Sequence, residues 1–341
     1  MRSVRSVRSV RCHAAAAALL GLFIQGLAPP AAAQMFKDPR LQALYAARAH
    51  DELERVATQR RAAAPDDAQA VLALALGALR SQDAVRRQAA IGAAQACLER
   101  APQAAPCHYA LGVVLGVQAL GKGLLEVAGS AGRVRGALVA ALEAEPAWYA
   151  ARSALVEFHL LAPAIVGGSV ARARELARSA PRAEHSRALE GRLALHEQRH
   201  AAALAALEGL DRDADGALAD DAAAWTVGAA FGLLNAGQAG PARPVFERLV
   251  AERPGEALGP YGLGRVAAAA GAHEQALEWY TRSARLEGAA ALPIAYRSGI
   301  ALQELGRHDA ARAALREFVA AGKGQRASLD DARRRLRQLG G

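Results

Sequence analysis

This sequence predicts an all-α chain, built as a solenoid of antiparallel helix pairs, and three observations lead there. Hydrophobic residues fill 52% of the 341 positions while aromatics fill 4%, so the apolar share is mostly Ala and Leu, both strong helix formers. Val, Ile and Thr alternating at period two, the mark of half-buried strands, are absent as long runs. Gly and Pro recur at a period of about 34 residues, which signals internal repeats. A chain of this length is too long for one ordinary core, and an extended array resolves that difficulty.

The first element is a leader. Arg2, Arg5, Arg8 and Arg11 make a basic start, and Ala14 to Ile24 a short apolar stretch. Ala31-Ala32-Ala33 before Gln34 is a small-residue cleavage pattern. The apolar stretch is about eleven residues, too short to span a bilayer. Residues 1–33 are therefore expected to be a signal peptide cleaved near Ala33, with a periplasmic or secreted destination. No later segment reads as a membrane span. Losing the four arginines lowers Lys+Arg from 42 to 38 against 33 Asp+Glu. The excess that remains favours acidic partners or anionic envelope surfaces, and export argues against a nucleic-acid partner.

The array follows, expected over 34–322. Its clearest unit has Leu263-Gly264, Gly271, Ala276, Tyr280 and Ser283. The next has Gly299, Gly306, Ala311 and Leu315, with both glycine pairs 35 residues apart. The preceding one has Gly237, Ala242, Phe246 and a terminating Pro254, with Gly237 and Gly271 separated by 34. Upstream come Gly191, Ala203 and Leu207, then Leu138, Ala141 and Pro146. Ala90, Cys97 and Pro102 precede Gly112, and Pro65 ends a helix starting near Asp51. This punctuation gives six to seven repeats. The small residues let paired helices approach, Leu, Phe or Tyr fills the groove between them, and Gly and Pro end helices. A basic helix from about Ser328 to Leu339 is expected to cap the array within 323–341.

These positions resemble the tetratricopeptide repeat family. The resemblance implies a right-handed superhelical solenoid whose first helices line a concave groove for another protein or peptide. A second stretch, Phe158-His159-Leu160-Leu161-Ala162-Pro163 followed by Gly167-Gly168-Ser169, is similar to one in exported bacterial tetratricopeptide proteins, for which it implies no enzymatic activity. It follows an enlarged unit, since Pro102 and Pro146 lie 44 residues apart.

In that register Tyr109, Trp148, Phe158, His159, Arg192, Phe231, Asn235, Tyr261, Arg265, Tyr296 and Gln303 fall near the groove. Aromatic and Arg side chains are the types that anchor interfaces, although each also fits a core position between helices. Asp211, Asp213, Asp215 and Gly216 form the alternating carboxylates of a calcium loop, but Ala222 stands where a bidentate Glu belongs. The alternative is an acidic linker that caps the next helix. His196-Glu197-Gln198-Arg199-His200 has the zinc-peptidase spacing, which needs both imidazoles on one helix face. The repeat register puts a helix end between them. Gly167-Gly168-Ser169 reads as an anion cradle or a helix connector with Ser169 as its cap. Cys97 and Cys107 are either a disulfide, which would stabilise by roughly 2.5–3 kcal/mol, or two buried thiols. No cofactor is implied. The reading is a non-enzymatic scaffold, with a calcium- or small-ligand-binding module as the alternative and a zinc peptidase behind both.

Overall fold

The computed structural model describes residues 34–340 apart from 82, 121–123 and 212–214, with backbone alone for 124–128; the expected leader lies outside the described residues. The described chain forms eight consecutive helix pairs. They are α1 (Pro39–Ala46) with α2 (His50–Ala63), α3 (Ala68–Arg80) with α4 (Ala84–Arg100), α5 (Ala105–Leu120) with α6 (Leu124–Ala144), and α7 (Tyr149–Leu161) with α8 (Val170–Arg178). Then come α9 (Ala183–His196) with α10 (His200–Leu207), α11 (Gly216–Asn235) with α12 (Ala239–Glu252), α13 (Leu258–Ala269) with α14 (His273–Ser283), and α15 (Ile294–Glu304) with α16 (His308–Ala321). A last amphipathic helix, α17 (Arg326–Gln338), packs on α16.

Helices begin where a side-chain oxygen takes the first free amides. Asp38, Asp67, Asp83, Ser169 and Asp215 cap α1, α3, α4, α8 and α11 in this way. The turn inside a pair is equally regular. In the last three pairs Gly237, Gly271 and Gly306 adopt φ of 76°, 75° and 70°. Each donates its N–H three residues back, and the next residue donates five back, as in Gly271 to Ala268 and Ala272 to Ala267. Arg48 and Gln198 make the same two bonds in the first and fifth pairs at φ of 55° and 60°. Five turns therefore share one geometry, two of them without glycine.

Close packing inside a pair explains the other conserved spacing. A Cβ on Gly264 would collide with the Tyr280 ring, and one on Gly299 or Gly191 would lie 2.7 or 2.9 Å from Leu315 or Leu207. Each of these partners is 16 residues later. In the third pair Gly112 meets Leu138 at 2.8 Å, 26 residues later. The enlargement is thus ten residues inserted between two matched packing positions, making α5 longer than the first helices α3 and α7 and α6 longer than the second helices α4 and α8. The fourth pair is the one the punctuation hides. Its helices are joined by 162–169, which holds a 3-10 turn at Ala164–Val166 in place of a glycine-centred turn.

First helices stack in chain order, α3 on α5, α7 on α9, α9 on α11 and α11 on α13. Buried clusters follow one another along the array, as a sum of neighbour interfaces requires. No strand occurs among the described residues, and one isolated bridge joins Glu256 and Glu287. α11 corrects one expectation, because it is long and apolar enough to cross a bilayer by length and composition. Its Leu218, Ala222, Ala229, Ala230 and Leu233 are buried against α9, α10 and α12. Cys97 in α4 and Cys107 in α5 form a disulfide that ties the second pair to the third.

Candidate functional site

Stacking first helices side by side creates a wall on which polar side chains of neighbouring pairs meet. Arg192 of α9 grips Glu157 of α7 through Nε and Nη2, the second contact at 2.9 Å. Arg265 of α13 donates to Asn235 of α11 at 2.9 Å. Tyr296 of α15 donates to Asp331 of α17 at 2.9 Å, and Arg335 of α17 to Gln303 of α15 at 2.9 Å.

In the first half of the array one end of this wall is filled by the start of α11. Asp215 is buried, caps Ala217 and Leu218, and brings its other carboxylate oxygen to 3.5 Å from His185 Nε2. The His185 ring packs on Tyr149 with centroids 4.9 Å apart. Six residues further, Asp221 accepts from Tyr149 at 3.0 Å and Ser153 at 2.5 Å. Asp220, one helix position earlier, receives Tyr45 at 3.2 Å and Arg48 at 2.9 Å from the first pair. Burial, reinforced by the charges of Glu157 and Asp220, pushes the Asp221 carboxyl up to about 6 against the pull of its two hydroxyl donors. Burial also raises the Tyr149 phenol, with Asp221 adding to it.

In the second half the wall stays open and is cationic. Arg265 and Arg297, on the adjacent helices α13 and α15, both act on the buried Tyr280 hydroxyl. That hydroxyl and Arg297 Nε have no hydrogen-bond partner among the described residues. Arg265 holds only the neutral Asn235 amide, and Arg297 lies over the Tyr296 ring at 5.1 Å. Burial raises the Tyr280 phenol, and the two guanidinium charges oppose that rise. Beneath them Phe231, Tyr261 and Tyr280 form a run of rings 5.9 and 6.0 Å apart.

The groove residues expected from sequence divide accordingly. Tyr109, Trp148, His159, Tyr261 and Tyr296 are buried and fill the spaces between helices. Tyr109 packs on Trp148 at 4.8 Å, and His159 Nδ1 meets the Gly167 carbonyl at 3.0 Å. Burial keeps the His159 imidazolium unfavourable. Arg192 and Phe231 are half-buried, Phe158 lies against the core, and Arg265 and Asn235 stand on the open wall. His196 ends α9 and His200 begins α10, with left-handed Gln198 between, so the two imidazoles do not share a helix face and the zinc-peptidase arrangement is lost. Of the acidic run, Asp215 is committed to its cap and Asp213 lies outside the described residues. Ser169 caps α8. Among the described residues no three His, Cys, Asp or Glu side chains converge.

The sequence offered little warning of Asp221, Tyr149, Ser153 and His185, because their partners are 30 to 72 residues away and follow no period. Arg297 was findable, since it lies in the first helix of the next pair after Arg265 and next to Tyr296. No protein-family model matches the chain, and no curated protein does. Among solved structures it is similar to a tetratricopeptide repeat protein from Parabacteroides merdae ATCC 43184, at 12% identity and a TM-score of 0.48, covering 79% of this chain and 98% of that one. It is also similar to the structure of Naa15/Naa10 bound to HypK-THB, at 11% identity and a TM-score of 0.24, covering 86% of this chain and 64% of that one.

Proposed function

We propose that this chain is an exported, non-catalytic scaffold that holds an acidic segment of another protein against the open wall formed by α11, α13 and α15. One observation carries the reading: two guanidinium groups on adjacent helices, Arg265 and Arg297, pair with no acid among the described residues. A carboxylate placed between them would receive charge-assisted hydrogen bonds. The fold supports the same reading, since a stack of pairs offers a long surface and little that resembles an enclosed reaction site.

The test is retention of envelope proteins on the immobilised full chain, compared with the double variant Arg265→Glu, Arg297→Glu. A partner should be retained by the parent, lost by the variant at unchanged helical circular dichroism, and weakened by rising salt. Equal retention by both chains at every ionic strength would refute the reading.

A further inference from the structure

Five large apolar side chains stand open to solvent among the described residues, and four of them belong to one corner of the third and fourth pairs. Val117 and Leu120 lie in the last turn of α5, Leu161 closes α7, and Ile165 follows in the α7–α8 connector. Ile165 is 93% exposed and Leu161 57%. The connector holds Ile165 out by construction. Val166 and Gly168 both donate to the Pro163 carbonyl, at 3.0 and 3.1 Å, Gly167 donates to Ala164 at 3.1 Å, and Ser169 to His159 at 2.8 Å. A Cβ on Gly168 would lie 1.7 Å from the Ala162 carbonyl oxygen, so the chain closes this tightly only with glycine there. A turn that spends these amides internally suits entry into an apolar phase, where water cannot satisfy them.

Two guanidinium groups flank the tip. Arg135 of α6 is exposed, comes within 2.7 Å of the place a Gly167 Cβ would take, and pairs with no acid among the described residues. Arg172, in the first turn of α8, is exposed and shares its charge with Glu175 at 3.3 Å. Both charges act on the His159 imidazole, whose Nδ1 meets the Gly167 carbonyl, so both stand at this connector. A stable protein interface takes about 800 Å² from each partner, more than a few side chains around a protruding turn supply. A second copy of this chain meets the same shortfall. A bilayer demands no matching shape: apolar side chains enter the acyl boundary while arginines stay among the headgroups. We propose that the α7–α8 connector docks this chain on an anionic membrane surface, with Ile165 and Leu161 entering the acyl boundary and Arg135 and Arg172 meeting lipid phosphates. The contact is peripheral, and it is independent of the α13–α15 wall.

Co-sedimentation with vesicles tests it, using the chain from Gln34 onward, which carries every described helix without the basic and apolar leader. The parent should partition onto phosphatidylcholine vesicles that hold one third phosphatidylglycerol, and more weakly onto phosphatidylcholine alone. Ile165→Asp and Leu161→Asp, both at exposed positions, should each weaken the partition at least about tenfold at unchanged helical circular dichroism. Arg135→Gln should weaken it about fivefold on the anionic vesicles and leave the neutral ones unchanged. Arg265→Gln, Arg297→Gln should leave both partitions as they are, which separates this site from the wall. Absence of binding to the anionic vesicles, or binding undiminished by both Asp variants, would overturn the proposal. So would a lipid-free dimer of the parent that Ile165→Asp abolishes, which would assign the tip to a second copy. An equal effect of Arg135→Gln on the two vesicle types would overturn the anionic half.

Discussion

Replacing Asp221 by Asn isolates the most unusual electrostatic feature of the array. Both hydrogen bonds that reach Asp221 arrive at one oxygen, from Tyr149 and Ser153. An Asn carbonyl can accept both, so the substitution removes the charge and keeps the contacts. The Asp221 carboxyl stands at about 6 in the folded chain against 3.8 for the free side chain, with burial as the main cause. A raised carboxyl means that the folded state binds the proton more tightly than the unfolded state. Its contribution to stability is complete below 3.8 and is lost as pH rises through 6. At 1.36 kcal/mol per unit the full loss would be about 3 kcal/mol, and partial solvent access reduces this to roughly 1–2 kcal/mol. Asp221→Asn should therefore stabilise the chain by that amount at pH 8 relative to its effect at pH 4. Urea unfolding of both chains at intervals across that range measures the difference, read as a shift in midpoint at constant slope. The other charges facing Asp221, those of Glu157 and Asp220, remain in both chains. A difference independent of pH, or one favouring the parent chain at pH 8, would refute the reasoning.

Three further outcomes follow from packing and turn geometry. Gln198→Gly should stabilise by about 0.5–1 kcal/mol, because Gln198 holds φ of 60° in the turn where three other pairs use glycine, while Gly271→Ala should cost about 1–2 kcal/mol; thermal unfolding of both variants checks the pair of signs. Gly264→Ala should destabilise by about 1–3 kcal/mol, since its methyl collides with the Tyr280 ring, and the loss should appear first as faster amide exchange in α13 and α14. Reduction of the Cys97–Cys107 disulfide should lower stability by about 2.5–3 kcal/mol, seen as an earlier urea midpoint with reductant that a Cys97→Ser, Cys107→Ser variant no longer shows.

What the sequence made legible was what short-range chemistry encodes. A left-handed turn wants glycine and a close approach wants a missing Cβ, so the repeat pattern placed Gly237, Gly271 and Gly264, while Ser169 as a helix cap was one of two readings. The same logic fails where chemistry is bent by its surroundings. Arg48 and Gln198 sit in glycine turns without glycine, and the fourth pair replaces the turn with a 3-10 segment. Groove lining was harder still. One helix position is 100° of rotation, which separates a ring facing the groove from one packed between helices. Tyr109, Trp148, Tyr261 and Tyr296 fall on the packed side, while Arg265 and Asn235 fall on the open one. The contacts of Asp220 and Asp221 had no sequence signature, since they join α11 to α1 and α7 across 68 to 175 residues.

The inner wall divides into two chemistries for a single structural reason. Where the leading turns of α11 lie against α1, α7 and α9, the polar groups of the wall are consumed within the chain: Asp220 meets Arg48, Asp221 meets Tyr149 and Ser153, and Glu157 meets Arg192. What remains exposed there includes the apolar side chains of Val117, Leu120 and Leu161. Past α11, α17 meets α15 through Tyr296 and Gln303, while Arg265 and Arg297 pair with no acid among the described residues. A change that withdrew α11 from the first half, by breaking its hold on Tyr149 and Ser153, would therefore free Asp221 and unsettle α7, while leaving Arg265 and Arg297 as they are. The paired substitution Tyr149→Phe, Ser153→Ala removes both donors to Asp221. It should alter amide exchange in α7 and in 216–225 without altering exchange in α13 and α15, and equal changes in both halves would show that the wall behaves as one body.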